Sequence, residues 1–216
     1  MTQTVLPLGI VPALDEQTVT LVRLAAAVAA GTERQMRDAM AVAVRIDPVW
    51  VEELILQSYL FAGFPRTLNA MREWRRVSGR PAPASDDRAG AELNAAQWRA
   101  DGERTCAKVY DGMYDRLRDN IAALHPALDA WMVVDGYGKV LSRPGLDLVR
   151  RELCIVAACA AAKQDRQLQS HLHGALNVGA TPGQVVGTLV ALADMLGDVS
   201  LRRALAMFNK VSGKQG

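Results

Sequence analysis

The sequence predicts an all-α fold built from two copies of one helical unit. Of its 216 residues, 34 are alanine, 50% are hydrophobic and only 5% are aromatic. This composition favours closely packed helices over strands, which prefer β-branched and aromatic residues. Apolar residues recur at helical spacing along nearly the whole chain. Pro48 and Gly63 are matched by Pro182 and Gly197 at one shared offset (182 − 48 = 134 and 197 − 63 = 134), which indicates an internal duplication.

The first unit is expected over residues 15–77. Its predicted helices cover 15–30, about 33–45, 48–62 and about 66–77. Gly31 and Gly63 are typical residues for ending a helix. Thr32 and Asp47 are predicted N-caps, and Pro48 suits the first helical position because its missing N–H is not needed there.

Residues 78–145 are expected to connect the two units. Residues 78–90 are rich in Pro, Ser and Asp, which predicts a flexible linker. Residues 91–123 resume helical spacing. The apolar stripe of this segment consists of Trp98, Val109, Met113, Leu117 and Ile121. Residues 124–145 predict one short helix and a structured loop.

The second unit is expected over residues 146–212. Its predicted helices cover about 146–163, about 166–178, 182 to near 197, and about 200–211. Thr181 and Pro182 repeat the combination of an N-cap with a proline at the first helical position. The two units are expected to pack as one body.

Charge and hydropathy exclude several classes of protein. A formal net charge of +2 with scattered basic residues argues against a nucleic-acid partner. The longest apolar run, Leu153–Ala162, is too short to span a bilayer, which argues against a membrane partner. No basic region precedes the apolar stretch at the N-terminus, so a signal peptide is not expected. The sequence therefore predicts a soluble cytoplasmic protein.

Cysteine usage and helix composition carry two further expectations. Cys106, Cys154 and Cys159 form no CxxC and no metal-type cluster, so we expect buried thiols in a reducing compartment and no metal. Helices so rich in Ala and Leu predict an exposed apolar face, and hence a homo-oligomer.

Glu152 and the histidines are the candidates for chemistry. Glu152 precedes an apolar run, and a carboxylate on such a face must be paired. The pattern alone favours a salt bridge to Arg151 or Arg203 over an acid–base couple with a histidine. His171 and His173 lie two residues apart on one predicted helix, so only one of them can face the interior.

Several segments together carry a resemblance to a known family. Towards the C-terminus these are Tyr137–Leu146, at the end of the connection, followed by Arg151-Glu152, His171 with Ala175-Leu176, and Gly179–Pro182. In the first unit they are Glu53, Gln57, Phe61–Pro65 and Asn69-Ala70. The combination resembles the carboxymuconolactone decarboxylase family over roughly residues 15–75 and 137–210. The resemblance implies a tandem pair of alkyl hydroperoxidase D-like helical repeats and an oligomeric assembly.

The resemblance also implies a chemistry. The family includes cofactor-free decarboxylases of a lactone, and peroxiredoxin-type proteins that use a CxxC with a nearby Glu and His. Glu152 and His171 match the Glu-to-His spacing of 19 residues, whereas the two cysteine positions fall on Gln164 and Gln167. Because glutamine forms no thiolate, thiol peroxidase activity is the least expected function.

We therefore expect a decarboxylase-like lyase that performs cofactor-independent acid–base chemistry on a small organic acid or lactone. Glu152 and His171 are the candidate catalytic residues. Arg151 or Arg143 would bind a substrate carboxylate, and Tyr137 and Glu53 are further candidate substrate-binding residues. The alternative is a non-catalytic oligomeric protein of the same fold that binds a ligand or serves as a scaffold.

The two units differ in complementary ways. Arg37 stands in the first unit where the second has His171, and Gly187 stands in the second where the first has Glu53. These differences suggest one composite pocket, walled by both units or by a neighbouring subunit. A tight turn near residue 165 would offset Glu152 and His171 by roughly 10 Å along the helix axes, so the two are predicted to share a pocket without a required direct contact.

Overall fold

A computed structural model shows the predicted all-α fold. The structure describes residues 10–86, 88 and 95–213, and these ranges contain helices and no strand. The α-helices are α1 (Glu16–Ala30), α2 (Glu33–Ala43), α3 (Pro48–Ser78), α4 (Ala95–Tyr110), α5 (Tyr114–Leu124), α6 (Pro126–Trp131), α7 (Leu148–Ala161), α8 (Asp165–Asn177), α9 (Pro182–Val190) and α10 (Ala193–Ser212). A 3-10 segment, Asp111–Met113, joins α4 to α5, and a π-helix, Met132–Leu141, continues from α6.

The predicted N-caps are confirmed. Thr32 and Thr181 each form a capping box, in which the hydroxyl accepts from the backbone N–H three residues on, and the glutamine there reaches back to the cap N–H. The Asp47 carboxylate accepts from the backbone N–H of Val49 at 2.8 Å, ahead of α3. These contacts satisfy N–H groups that a helix start leaves without partners.

Two long helices bend at a glycine. Gly63 (φ 77°, ψ 163°) kinks α3, and Gly197 (φ 69°, ψ 165°) kinks α10. Glycine adopts positive φ without the steric cost that other residues incur. Both glycines were predicted as helix ends. The structure instead makes each one a sharp bend, so the segments predicted as 48–62 and 66–77 are the two arms of α3.

The segment predicted as one helical stripe over 91–123 is broken in the structure. Residues 91–94 lie outside the described ranges, and α4 ends at Tyr110. Asp111 has a positive φ of 47°, which interrupts the helix. Met113, predicted on the buried stripe, is 51% exposed. The chain therefore turns between α4 and α5, and the apolar stripe does not run through.

The segment predicted as a short helix plus loop over 124–145 contains α6 and the π-helix. The π-helix packs closely on α4 through two glycines. A Cβ at Gly102 would overlap the carbonyl oxygen of Val133, and a Cβ at Gly138 would overlap that of Trp98. The two backbones are therefore in direct contact, which helical periodicity does not reveal. A π-helix is rare and is frequently found at functional sites.

The core centres on α1 and α7, which pack against each other. Both helices present alanines that are at most 5% exposed: Ala25, Ala26 and Ala27 on α1, and Ala157 and Ala160 on α7. Small side chains let two helix axes approach closely. The high alanine content thus serves the contact between the first and second halves of the chain. Helices α2 and α3 surround α1, and α8 and α9 surround α7.

The connection after α3 is non-helical over 79–86 but is attached to the body. Asp86 accepts from the Arg143 guanidinium at 2.7 Å, and Arg88 donates to Asp101 at 3.3 Å. Residues 87, 89 and 90 of the predicted linker lie outside the described ranges, as does the N-terminal segment 1–9. Among the residues that the structure describes, no helix combines the length and apolar character needed to cross a bilayer.

Candidate functional site

Glu152 of α7 and His171 of α8 form a direct pair. Nδ1 of His171 lies 2.8 Å from Oε2 of Glu152. Glu152 is completely buried and His171 is 6% exposed. The salt bridges predicted for Glu152 do not form, because Arg151 pairs with Glu53 and Arg203 pairs with Asp165.

The expected offset of roughly 10 Å between the two residues is wrong. Helix α7 ends at Ala161 and α8 begins at Asp165, so the turn is centred near residue 163 rather than 165. The two residues then differ by about three positions in their distance from the turn, or roughly 4–5 Å along the axes. Two side chains of this length span such an offset without a bridging water.

Gly174 makes room for the buried carboxylate. It lies three residues after His171 on α8, and a Cβ there would come within 2.7 Å of Oε2 of Glu152 and of a Val109 methyl group. The other carboxylate oxygen, Oε1, is buried and has no hydrogen-bond partner among the described residues. A buried oxygen without a partner is costly, and such groups are often retained for a function.

His171 faces a cavity of about 280 Å³, which we call the inner cavity. Its lining residues are Leu60, Phe61, Tyr110, Leu117, Ile121, Met132, Gly136, Tyr137, Leu141, Gln167, Ser170 and His171. The Phe61 ring meets the imidazole edge to face at 5.9 Å between centroids. Because Nδ1 is taken by Glu152, Nε2 is the nitrogen left for a ligand. The π-helix supplies much of the cavity wall. The segment whose structure the apolar periodicity did not predict therefore forms a large part of the site.

An outer cavity of about 670 Å³ adjoins the inner one, and Tyr110, Leu117 and Ser170 line both. His173 lines this outer cavity rather than the inner one. The expectation that only one of the two histidines faces inward is therefore confirmed, and the inward one is His171. Asp111 and Asn120 give the outer cavity a polar wall.

Tyr137 is the one predicted substrate-binding residue that reaches the inner cavity. Its ring packs edge to face on Tyr110 at 6.1 Å between centroids. Burial raises the pKa of Tyr137 well above its usual value, and the nearby Tyr110 and Glu152 add to the effect. Burial raises the pKa of Tyr110 as well. Both phenols are therefore uncharged near neutral pH.

The other three predicted substrate-binding residues meet one another in a buried network away from the cavity. Arg151 is completely buried and donates to Oε2 of Glu53 at 2.7 Å and to Oε1 of Gln57 at 3.2 Å. Arg143 donates to Glu53 at 3.0 Å and to Asp86 at 2.7 Å. None of these side chains lines either cavity. Their cations are occupied by carboxylates of the chain itself.

Sequence reasoning missed Tyr110, Ser170 and Gly174. Gly174 left a signal, since a glycine in the middle of a helix is unfavourable unless something approaches it closely. Tyr110 and Ser170 left none, because neither residue type is unusual on a helix. Within the described ranges, no group of His, Cys, Asp and Glu side chains is arranged to hold a metal ion.

All three cysteines are buried and free. Burial raises the pKa of Cys106 and of Cys159 to about 12, and it raises that of Cys154 as well. A thiol is nucleophilic only as the thiolate, so these groups are inert near neutral pH.

We expect no reaction of the folded protein with 5,5′-dithiobis(2-nitrobenzoate) at pH 8, because the thiols are uncharged and out of reach. After unfolding in guanidinium chloride, three thiols per chain should react. The absorbance of the released thiolate measures the number of reactive thiols in the folded and in the unfolded protein. One fast-reacting thiol in the folded protein would contradict this account of the cysteines.

The fold and the site describe an all-helical protein with a buried Glu–His pair beside an apolar cavity. The model of the carboxymuconolactone decarboxylase family matches residues 126–210. This range includes the π-helix and both members of the pair, so the match supports that family for the part of the chain that holds the site.

A second comparison gives a similar protein without a stated activity. Peroxisomal protein 2 of Schizosaccharomyces pombe is 31% identical over 137 residues. The matched segment covers 63% of this chain and 63% of that protein, so the similarity spans less than two thirds of either. Its name does not indicate a reaction.

Proposed function

We propose that the whole chain is a carboxymuconolactone decarboxylase-like protein formed by duplication, with units at 15–77 and 146–212 joined by 78–145. The support is the repeated offset of 134 residues. It relates the starts of α3 and α9, the glycine kinks at Gly63 and Gly197, and the ends of α3 and α10 (212 − 78). The two kinks also have nearly the same φ and ψ.

The two units would have kept different halves of an ancestral site. Arg37, which stands where the second unit has His171, is largely exposed and pairs with Glu33 at 2.9 Å. The first unit thus has no buried acid–base pair at that place. It contributes Leu60 and Phe61 to the wall of the inner cavity, while the second contributes Gln167, Ser170 and His171. This supports one composite site per chain.

We propose that the site performs cofactor-independent acid–base chemistry on a small organic acid or lactone. The observation that carries the proposal is the 2.8 Å contact between Nδ1 of His171 and Glu152 at the wall of the inner cavity. A histidine held in this way presents Nε2 to a ligand, and the carboxylate stabilises the imidazolium that forms when Nε2 takes a proton. His171 is then the reacting group, and Glu152 positions it.

The proton follows a simple cycle in this proposal. Nε2 removes a proton from a carbon next to the substrate carbonyl, and the electron pair stays on the substrate. The imidazolium then returns a proton to the substrate, which restores the neutral imidazole. Arg143 and Arg151 were expected to bind a carboxylate. Through Glu53, Arg151 is assigned instead to holding α7 against α3, and Arg143 to holding the loop after the π-helix against α3.

Hydrogen–deuterium exchange tests this function before the natural substrate is known. Five- and six-membered lactones are incubated with the protein in deuterium oxide, and loss of the proton signal next to the carbonyl is followed by nuclear magnetic resonance. We expect protein-dependent exchange that falls by roughly 10²–10⁴-fold in His171→Asn, the usual contribution of a general acid–base group. Glu152→Gln should reduce the rate less, because it keeps a hydrogen-bonding partner.

His125→Ser is the matched control. His125 is exposed and its Nδ1 accepts from the backbone N–H of Ala127 at the start of α6, a role that serine also fills. This variant should exchange protons at the original rate. Equal rates in His171→Asn and the unchanged protein would reject the proposal.

The second candidate is a non-catalytic protein that binds a small ligand. Among the described residues that line the two cavities there is no Arg or Lys, which favours this candidate over decarboxylation of an acid, because that reaction needs a group to hold the carboxylate. Ligand binding without any exchange would select this candidate. Homo-oligomer formation and a cytoplasmic location remain predictions.

A further inference from the structure

We infer that the inner cavity takes uncharged, largely apolar molecules and rejects carboxylates, so that its ligand is a neutral lactone or another neutral carbonyl compound. This inference rests on the proposed function and narrows its substrate class. Three features of the cavity and its surroundings lead to it.

The first feature is the chemistry of the wall. Eight of the residues that line the inner cavity have aliphatic, aromatic or no side chains: Leu60, Phe61, Leu117, Ile121, Met132, Gly136, Leu141 and the ring of Tyr137. The polar groups are Tyr110, Gln167, Ser170 and His171, together with the Tyr137 hydroxyl. None of them is a fixed cation. A few uncharged hydrogen-bonding groups on an apolar wall orient a neutral ligand.

The second feature is the charge behind His171. The Glu152 carboxyl group lies 2.8 Å from Nδ1 of His171 and is therefore placed to offset positive charge on the imidazole. Oε1 of Glu152 is buried and has no partner among the described residues that would offset its charge. A ligand carboxylate beside this pair would lose its water and meet no net positive charge, which makes its burial unfavourable.

The third feature is where the nearby cations are. Arg143 and Arg151 are held by Glu53 and Asp86 and line neither cavity. The outer cavity contains Asp111, Asn120 and Gln169 on its wall, and none of the described residues that line it is Arg or Lys. A ligand that enters through the outer cavity would therefore meet a carboxylate and uncharged groups, and no site that attracts an anion.

A lactone and its ring-opened acid test the inference, because they share one carbon skeleton and differ in charge. We would titrate the protein with γ-octalactone and with sodium 4-hydroxyoctanoate at pH 7 and low salt, and measure each dissociation constant by ligand-observed nuclear magnetic resonance. The lactone should bind at least about tenfold more tightly. Equal binding, or tighter binding of the acid, would overturn the inference.

Two variants place the binding in the inner cavity. Gly136 lines it, and a Cβ there meets nothing closer than the Trp131 carbonyl oxygen at 3.9 Å, so the Cβ of Gly136→Val is accommodated and its added methyl groups are expected to narrow the cavity. It should weaken lactone binding at least about tenfold. Gln167 lines the cavity and is exposed, so Gln167→Arg adds a cation at little cost to folding. It should bring the acid to within about threefold of the lactone.

The outcomes separate the inference from the proposed function. Lactone binding that Gly136→Val weakens, with no proton exchange, supports the inference and rejects the catalytic proposal. Exchange that depends on His171, together with preferred binding of the acid, supports catalysis and rejects the inference. If Gly136→Val leaves lactone binding unchanged, or neither molecule binds, the cavity is not the ligand site and the inference fails.

Discussion

Replacing Arg151 by methionine is expected to lower the free energy of unfolding by about 3–5 kcal/mol, the usual cost of breaking a buried ion pair from one side. Arg151 is completely buried. Its guanidinium donates to Glu53, to Gln57 and to the carbonyl oxygens of Leu146 and Arg143. Methionine fills similar space but leaves all of these acceptors with one donor fewer. Urea unfolding followed by circular dichroism measures the change.

Arg37→Met is the matched control. Arg37 also pairs with a glutamate, but its side chain is 57% exposed and Glu33 lies four residues away on the same helix. An exposed pair of this kind contributes about 0.3–0.5 kcal/mol to the free energy of unfolding, so Arg37→Met should lower it by no more than about that amount. The double variant Arg151→Met/Glu53→Gln gives a further test. Its free energy of unfolding should fall by less than the sum of the decreases in the two single variants, because both substitutions remove the same interaction. Similar losses for Arg151→Met and Arg37→Met would contradict the structural role of the network.

Gly102→Ala and Gly138→Ala are each expected to destabilise the protein by about 1–3 kcal/mol or more. Alanine in a helix is ordinarily more favourable than glycine by about 1 kcal/mol, so helix propensity alone predicts that both variants are more stable than the original protein. The structure reverses it because each new Cβ would overlap a backbone carbonyl oxygen, of Val133 or of Trp98. Backbone atoms cannot move aside as a flexible side chain can, so α4 and the π-helix must separate.

Gly112→Ala controls for the loss of glycine itself. A Cβ at Gly112 would meet no atom within 4 Å, and its φ is not positive. The stability of this variant should stay within about 0.5 kcal/mol of the original, as is usual for a surface change. Thermal unfolding of the three variants gives the comparison. Stabilisation by Gly102→Ala would show that the two backbones are not in contact.

The helices before and after the middle segment of the chain were predictable because the signals that start and end them are local in sequence. Thr32, Asp47 and Thr181 cap helices as predicted, and Gly63 and Gly197 interrupt the chain where predicted. The middle segment was not predictable in the same way. A π-helix has no distinctive apolar period, and the crossing at Gly102 depends on a partner 36 residues away (138 − 102).

The candidate site was predictable in part for a similar reason. The Glu152–His171 pair follows from the resemblance, which supplies both residues and their spacing. The partners of Arg151 did not follow, because Glu53 and Gln57 lie in the other half of the chain. A buried cation requires an acceptor as a partner, but the sequence does not indicate which carboxylate provides it. The sequence alone therefore predicts substrate binding by Arg143 or Arg151, and the network shows that both guanidinium groups are occupied.

The contact of Glu53 with Arg151 joins residues 98 positions apart, and α1 is packed against α7. These contacts set an order of events during synthesis. When α1 to α3 leave the ribosome, the apolar face of α1 has no α7 to cover it and Glu53 has no Arg151. Contacts between distant residues form late because closing a long loop costs entropy. We therefore expect the first half of the nascent chain to stay open and accessible to chaperones until α7 emerges, when both halves fold together.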